Sequence, residues 1–316
     1  MRKKKLEMAL IQKTLSSITI VGIIAVLFYF VARAVFSGQK PLMPVKITNL
    51  VVSKTPVSEN PIMINSLALE DTVNRAMVGA NGHYAVVIKN LKTKEEYSVN
   101  EHEKFPSASL YKLWVMAAVF DAIKEGSLNL ETKLSRDISD LNDEFDVDPE
   151  EAELTDGSIT MTTATALEQM IVISHNYAAM MLTSKVGLAS ISGKMKQIGL
   201  TESSLGSPPM TTAADVELFF EKLYRARFTD SANTKKMAEL LSRQQKNLGI
   251  PKYLPSGIMV AHKTGEIGTY KHDGGIVSTP NNDYVFVVMS QSNFPDGAQE
   301  RIALISKVVF DYFEAQ

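Results

Sequence analysis

Three short groups of residues could do chemistry together: Ser109-Leu110-Tyr111-Lys112, Ser174-His175-Asn176 and Lys263-Thr264-Gly265. They supply a hydroxyl nucleophile, groups that can move its proton, and a cation to hold an anionic ligand. That is the equipment of covalent acyl transfer. Ser109 and Lys112 stand three positions apart, so on a helix they share one face and the amine can take the hydroxyl proton. A lysine serves as a base only when its pKa falls, which burial beneath an apolar helix and nearby cations would cause.

Each group is weak alone. A chain of this length holds about one Ser-x-x-Lys by chance. A second one, Ser37 to Lys40, stands just before Pro41 and reads as incidental. Ser-x-Asn recurs at Ser98, Ser127 and Ser231, where turns and caps explain it. Ser174 differs because it falls between two expected helices, where its hydroxyl could relay a proton between Lys112 and a leaving group while Asn176 binds a substrate carbonyl. A plain cap-and-turn role remains open for it. Lys263-Thr264-Gly265 is rarer, at roughly 0.1 expected by chance. It follows Ile258-Met259-Val260 and so lies on a strand, where Lys263 sets a positive potential, Thr264 binds a carboxylate and Gly265 admits a substrate backbone. The alternative is a polar edge strand running into the Gly268 turn.

The elements that must position these residues are legible in the patterning. A helix is expected from Leu67 to near Gly79, then strands at Tyr84–Ile88 and Glu95–Val99. Ser109–Ile123 reads as an almost wholly apolar central helix, with Ser107 as its cap. Residues 127–157 are acidic and loop-like. Thr162 or Thr163 caps a helix through Ser174, others run from near Asn176 to Gly187 and from Ser190 to Ile198, and Thr211 or Thr212 caps a further one before a helix over Ala232–Leu241. Strands return at Ile258–Lys263, Gly275–Ser278 and Tyr284–Ser290, and Ala298–Phe313 closes the chain as a helix. Strands at both ends and helices between them predict an α/β lobe built from both termini around a helical lobe, with a cleft at the junction.

Composition narrows the function classes. The chain has 316 residues, 45% apolar and 22% charged, with a formal net charge of -2, which argues against nucleic acid as a partner. With no cysteine there is no disulfide, thiolate nucleophile or thiolate-held metal. The histidines show no zinc spacing, and no cofactor or metal is called for. Arg2-Lys3-Lys4-Lys5 precede Leu15–Ala32, an uncharged run that would span roughly 27 Å as a helix. Residues 1–36 are therefore expected to form a cytoplasmic basic flank and a single-pass anchor, with the bilayer contacted through residues 15–36 and the rest of the chain outside. If Ala32-Arg33-Ala34 is cleaved, the protein is secreted. Residues 37–64, with four prolines, read as a tether, and residues 65–316 as the folded domain.

Taken in order, on a helix, a helix junction and a strand, the three groups resemble the motifs of the penicillin-recognising serine hydrolase superfamily, most nearly its class A β-lactamase-like catalytic domains. The resemblance implies an α/β, β-lactamase/transpeptidase-like fold, an antiparallel sheet flanked by helices plus a mainly helical lobe. It makes Ser109 the acylated nucleophile, Lys112 its base, Ser174 and Asn176 the second motif with His175 in place of the usual acid, and Lys263 and Thr264 the carboxylate site. The backbone N–H groups of Ser109 and Glu266 would form the oxyanion hole, and Asp273-Gly274-Gly275 would be architectural. The implied ligands are a peptidoglycan-like peptide or a β-lactam.

One departure bears on function. Between Leu200 and Thr211 the chain is too short for the family's omega loop, and Glu202, its only carboxylate, reads as a turn residue rather than a base for the deacylating water. The expectation is a D,D-peptidase-like or penicillin-binding enzyme whose acyl-enzyme persists, with a β-lactamase, or a sensor that does not turn over, as the other readings.

Overall fold

The computed structural model describes residues 64–316, apart from 66 and 228. The expected anchor, and the tether before residue 64, lie outside these residues. Among the described residues no helix is long and apolar enough to cross a membrane.

In chain order, β1 (Ile64–Asn65) and α1 (Leu67–Met77) lead into the hairpin β2 (His83–Asn90) and β3 (Glu95–Val99). The short β4 (Phe105–Pro106) precedes a 3-10 turn at Ala108–Tyr111, which runs directly into α2 (Lys112–Lys124). A second hairpin, β5 (Lys133–Asp137) and β6 (Ser158–Thr162), encloses α3 (Ile138–Glu144). Then come α4 (Thr163–Val172), α5 (Asn176–Val186), α6 (Leu188–Ile198), β7 (Met210–Thr211), α7 (Ala213–Tyr224) and α8 (Ser231–Ser242). The chain closes with β8 (Met259–Ile267), β9 (Tyr270–Ser278), β10 (Asp283–Gln291) and α9 (Pro295–Glu314).

The main sheet has the order β1-β3-β2-β10-β9-β8, antiparallel except for β1 beside β3. Strand periodicity sorts its side chains into two cores. Tyr84, Val86 and Ile88 of β2 and Tyr284, Phe286 and Val288 of β10 face α1 and α9, packing with Leu69, Val73, Ile302 and Val309. The intervening Ala85, Val87, Val285, Val287 and Met289 face the helical side, where α2 is the hub. Residues 112–120 of α2 are all buried, so this helix is enclosed on every side and its first turn is held without slack. Sequence-distant strands thus build one lobe, and β8, which carries Lys263-Thr264-Gly265, is the sheet's edge.

Three expectations need correction. The segment expected to start the central helix is a 3-10 turn, and Ser107 does not cap it: its backbone is already helical, and its hydroxyl donates instead to the Ala108 carbonyl at 3.2 Å. Residues 127–157 are not all loop, because β5 and α3 fall within them. In β5 only Leu134 is buried, so the strand shows no apolar alternation to read and is fixed by pairing with β6, Leu134 opposite Met161. The helix capped by Thr162 ends at Val172 rather than Ser174. Thr162 and Thr212 do cap their helices, accepting from the N–H groups of Thr165 and Asp215.

Candidate active site

Ser109 lies within the 3-10 turn that leads into α2. Side chains three apart eclipse in a 3-10 helix, so Ser109 and Lys112 stand one above the other. Ala108, just before Ser109, has φ 44°, a left-handed conformation that costs a non-glycine residue about 1 kcal/mol or more. The turn is held from three directions. Ser107 N donates to the Pro209 carbonyl at 2.7 Å, and β4 pairs with β7, so the shortened segment after Leu200 grips it from one side. From β9, buried His272 places Nε2 2.9 Å from the Pro106 carbonyl while its Nδ1 accepts from Ser290 N at 3.1 Å. That pair of partners requires the Nε2–H tautomer, and burial pushes the ring's pKa down to about 4, keeping it neutral. From β8, Gly265 lies so close that a Cβ there would stand 2.9 Å from the Ser107 carbonyl. Gly265 therefore has a packing duty apart from the substrate approach expected of it: it lets the edge strand close onto the turn that carries Ser109.

Lys112 is fully buried, and its ammonium form loses its hydration there. Its Nζ donates to the Ser174 carbonyl at 2.6 Å and to Asn176 Oδ1 at 2.7 Å, with Ser174 Oγ at 3.2 Å. Desolvation first, then the positive charge of Lys246, push its pKa down to about 7, against a smaller upward pull from Glu153. A neutral amine has two N–H bonds and one lone pair, and the two carbonyl-type oxygens account for the N–H bonds. The lone pair is left for a hydroxyl. This is what a general base for Ser109 requires.

Ser174 bridges two lysines. It sits at the break between α4 and α5 with φ 62°, another left-handed non-glycine residue at the site. Lys263 Nζ donates to Ser174 Oγ at 3.0 Å and to the Thr264 carbonyl at 2.8 Å. Lys263 is fully buried as well, and desolvation followed by repulsion from Lys112 holds its pKa well below the ordinary lysine value. The structure thus gathers Lys112, Ser174, Asn176 and Lys263 into one hydrogen-bonded network, with Ser109 on the turn above Lys112 and Thr264, Gly265 and Glu266 on the adjoining strand. Glu266 carries its side chain outward to Lys271 at 2.9 Å.

The remaining histidines separate from this network. His175 caps α5 through Nδ1, which accepts from Ala178 N at 3.2 Å, and burial lowers its pKa. That explains how a histidine stands where the family has an acid: the position is a helix cap. His262 points away from Lys263, as strand alternation requires, and its ring nitrogens lie 2.8 Å from Asp273 Oδ1 and 3.2 Å from Asn247 Oδ1. Asp273 Oδ2 also accepts from Ile250 N at 2.9 Å, and a Cβ at Gly275 would stand 2.5 Å from that of His262. The Asp273-Gly274-Gly275 run is architectural, as expected.

Two residues of the site were not singled out from sequence. Glu153, between α3 and β6, accepts from Asn176 Nδ2 at 2.7 Å. Lys246, exposed after α8, lines a cavity of about 400 Å³ with Asn247, Glu266 and Gln299 and acts electrostatically on both buried lysines. Glu202 is engaged elsewhere, 3.1 Å from His102 and accepting from Thr212 at 2.8 Å.

A serine three residues before a buried lysine on a left-handed turn, a serine bridging two lysines and an edge strand bearing a second buried lysine are the arrangement of the penicillin-recognising serine hydrolase superfamily. A sequence model described as the beta-lactamase enzyme family matches residues 68–313, and the chain belongs to that family. It is 22% identical to beta-lactamase VEB-1 of Pseudomonas aeruginosa over 271 residues, covering 76% of this chain and 89% of that one. Among solved structures the fold is similar to that of PBP-A, with a TM-score of 0.71 and 24% identity over 81% of this chain and 99% of that one. A PBP-A mutant in acyl-enzyme complex with penicillin G matches equally well, covering 100% of that chain at TM-score 0.71 and 24% identity over 81% of this one. A beta-lactamase from Sphaerobacter thermophilus matches at TM-score 0.69 and 22% identity, over 78% of this chain and 97% of that one.

Proposed function

We propose that this protein is a membrane-anchored, extracytoplasmic serine acyl hydrolase of the D,D-peptidase-like, penicillin-binding type, acting on the D-Ala-D-Ala-like ends of wall peptides. In the reaction, Lys112 takes the Ser109 hydroxyl proton as Oγ bonds to the substrate carbonyl carbon, with the oxyanion held by the N–H groups of Ser109 and Glu266. The carbonyl–nitrogen bond then breaks and Ser174 relays the proton to the leaving nitrogen. Lys263 and Thr264 hold the substrate carboxylate. The location rests on the basic flank at Arg2–Lys5 and the apolar run Leu15–Ala32.

The observation that carries the D,D-peptidase reading is a site equipped for acylation beside a shortened 201–209 segment whose only carboxylate, Glu202, is bound to His102 and Thr212. Time-resolved intact mass spectrometry of the purified chain tests it. Penicillin G is expected to leave a persistent adduct, a D-Ala-D-Ala peptide to be hydrolysed, and both to be lost in Ser109→Ala. A β-lactamase is the second reading, favoured by the likeness to VEB-1 and by the Glu153 carboxylate beside Asn176. Rapid, complete nitrocefin turnover without an accumulating adduct would establish it and overturn the first.

A further inference from the structure

We propose that Glu153 is a positioning residue of the acyl-transfer site, holding the Asn176 amide with its oxygen toward Lys112 and one N–H free for a substrate carbonyl. The inference rests on the acyl-transfer reading above and adds a residue that none of the three motifs contains.

An asparagine amide can turn end for end, and its two ends differ only in who donates. A carboxylate can only accept, so Glu153 Oε1, 2.7 Å from Asn176 Nδ2, fixes which end faces it. The amide oxygen is thereby turned to Lys112 Nζ at 2.7 Å. In the flipped state the oxygen would face a carboxylate, acceptor against acceptor, and the NH2 group would compete with the Ser109 hydroxyl for the Lys112 lone pair. Since Nδ2 carries two hydrogens, one remains after Glu153 is satisfied.

The segment bearing Glu153 is built to keep it there. Its neighbour Leu154 is clamped by the buried Tyr177, whose hydroxyl lies 2.7 Å from the Leu154 carbonyl and accepts from Leu154 N at 3.1 Å. Asn142 Nδ2 donates to the same carbonyl at 2.8 Å, and its Oδ1 is 2.8 Å from the Tyr177 hydroxyl. Consecutive residues of α5, Asn176 and Tyr177, thus grip the consecutive residues Glu153 and Leu154. The clamp fixes the stretch of backbone from which the exposed Glu153 side chain reaches Asn176.

Glu153 has a second effect through charge. It raises the Lys112 pKa, whereas Lys246 lowers it. The other charged or titratable groups facing this network are Lys263 of β8, the Tyr111 ring, 5.9 Å from Lys112 Nζ, and His175 of α5, with Glu266 and Asp273 acting on Lys263. Because the base must be neutral to act, substitutions at 153 and 246 should move the acid limb of the acylation profile in opposite directions.

The experiment measures Ser109 acylation by penicillin G against pH for the full-length chain and for Glu153→Gln, Glu153→Ala and Lys246→Gln. Glutamine keeps an acceptor for Asn176 but drops the charge. Glu153→Gln should keep the plateau rate within about twofold and acylate about two- to fivefold faster than wild type at pH 6, and Lys246→Gln should be slower there by a similar factor. Glu153→Ala should lose about tenfold of plateau rate, because the amide is released. Identical plateaus for Glu153→Ala and wild type, or acid limbs that do not separate by charge, would overturn the proposal. If wild type forms no Ser109 adduct, the acyl-transfer reading fails, and NMR still decides the positioning. The Asn176 side-chain N–H groups should resist solvent exchange in wild type and Glu153→Gln but not in Glu153→Ala; equal exchange in all three overturns it.

Discussion

Replacing Lys112 with methionine should slow acylation of Ser109 by about a thousandfold or more, while leaving the protein folded and more resistant to denaturation. The rate effect follows from removing the amine that stands three residues from Ser109, across the end of the 3-10 turn. The stability effect follows from linkage. Lys112 has a pKa of about 7 in the folded chain against an ordinary 10.5, so between those values the unfolded chain binds more protons. Wild-type stability therefore rises with pH across that window and carries a penalty below it, on the order of a few kcal/mol. Methionine has a similar length and no charge to bury. Chemical denaturation at pH 7 and pH 10 should show the variant gaining most at the lower pH; a variant less stable than wild type at pH 7 would mean the network around Lys112 contributes more than its burial costs.

The second large effect is expected at Lys263. Its Nζ is fully buried and bonded to Ser174 Oγ and the Thr264 carbonyl, with its pKa depressed by desolvation and by Lys112. An anionic ligand entering beside it favours the charged form, so binding a carboxylate should raise the Lys263 pKa back toward the ordinary lysine value. Lys263→Gln should lower the second-order acylation constant for penicillin G by about a hundredfold, from a lost charge-assisted contact of roughly 3 kcal/mol. The methyl ester of the same penicillin has no carboxylate to hold and should lose far less. Equal losses for acid and ester would show that Lys263 acts on Ser174 alone and does not grip the ligand.

How much of this was legible depends on where each signal lies. The unbroken apolar runs Tyr84–Ile88 and Tyr284–Met289 announce the strands β2 and β10, but not which core each side chain faces. Thr162 and Thr212 mark helix starts because a cap is a local bond between a side chain and a backbone three residues on. Ser109, Lys112, Ser174 and Lys263 could be found because their spacing is tied to turns and strands that the pattern also shows. The 3-10 turn could not, since an i, i+3 pair suits either helix and the choice is made by Gly265, β4 and His272 pressing on the segment from distant parts of the chain. His272 itself was passed over as a zinc ligand and given no other role, because both its partners are backbone atoms that leave no trace in residue types. Glu153 and Lys246 lie in segments without periodicity, and Glu153 is one acid among many between 127 and 157. Only the clamp on Leu154 distinguishes it, and that clamp joins residues far apart in sequence.

At the centre of the account is an amine that is substantially uncharged at neutral pH because it is buried. The most direct measurement is the single-turnover rate of Ser109 acylation by penicillin G from pH 5 to pH 9, followed by intact mass with the adduct mapped to its residue. The rate should climb about tenfold per pH unit and level off near pH 7, where Lys112 loses its proton. A rate independent of pH across that range, or an adduct on any residue other than Ser109, would contradict it.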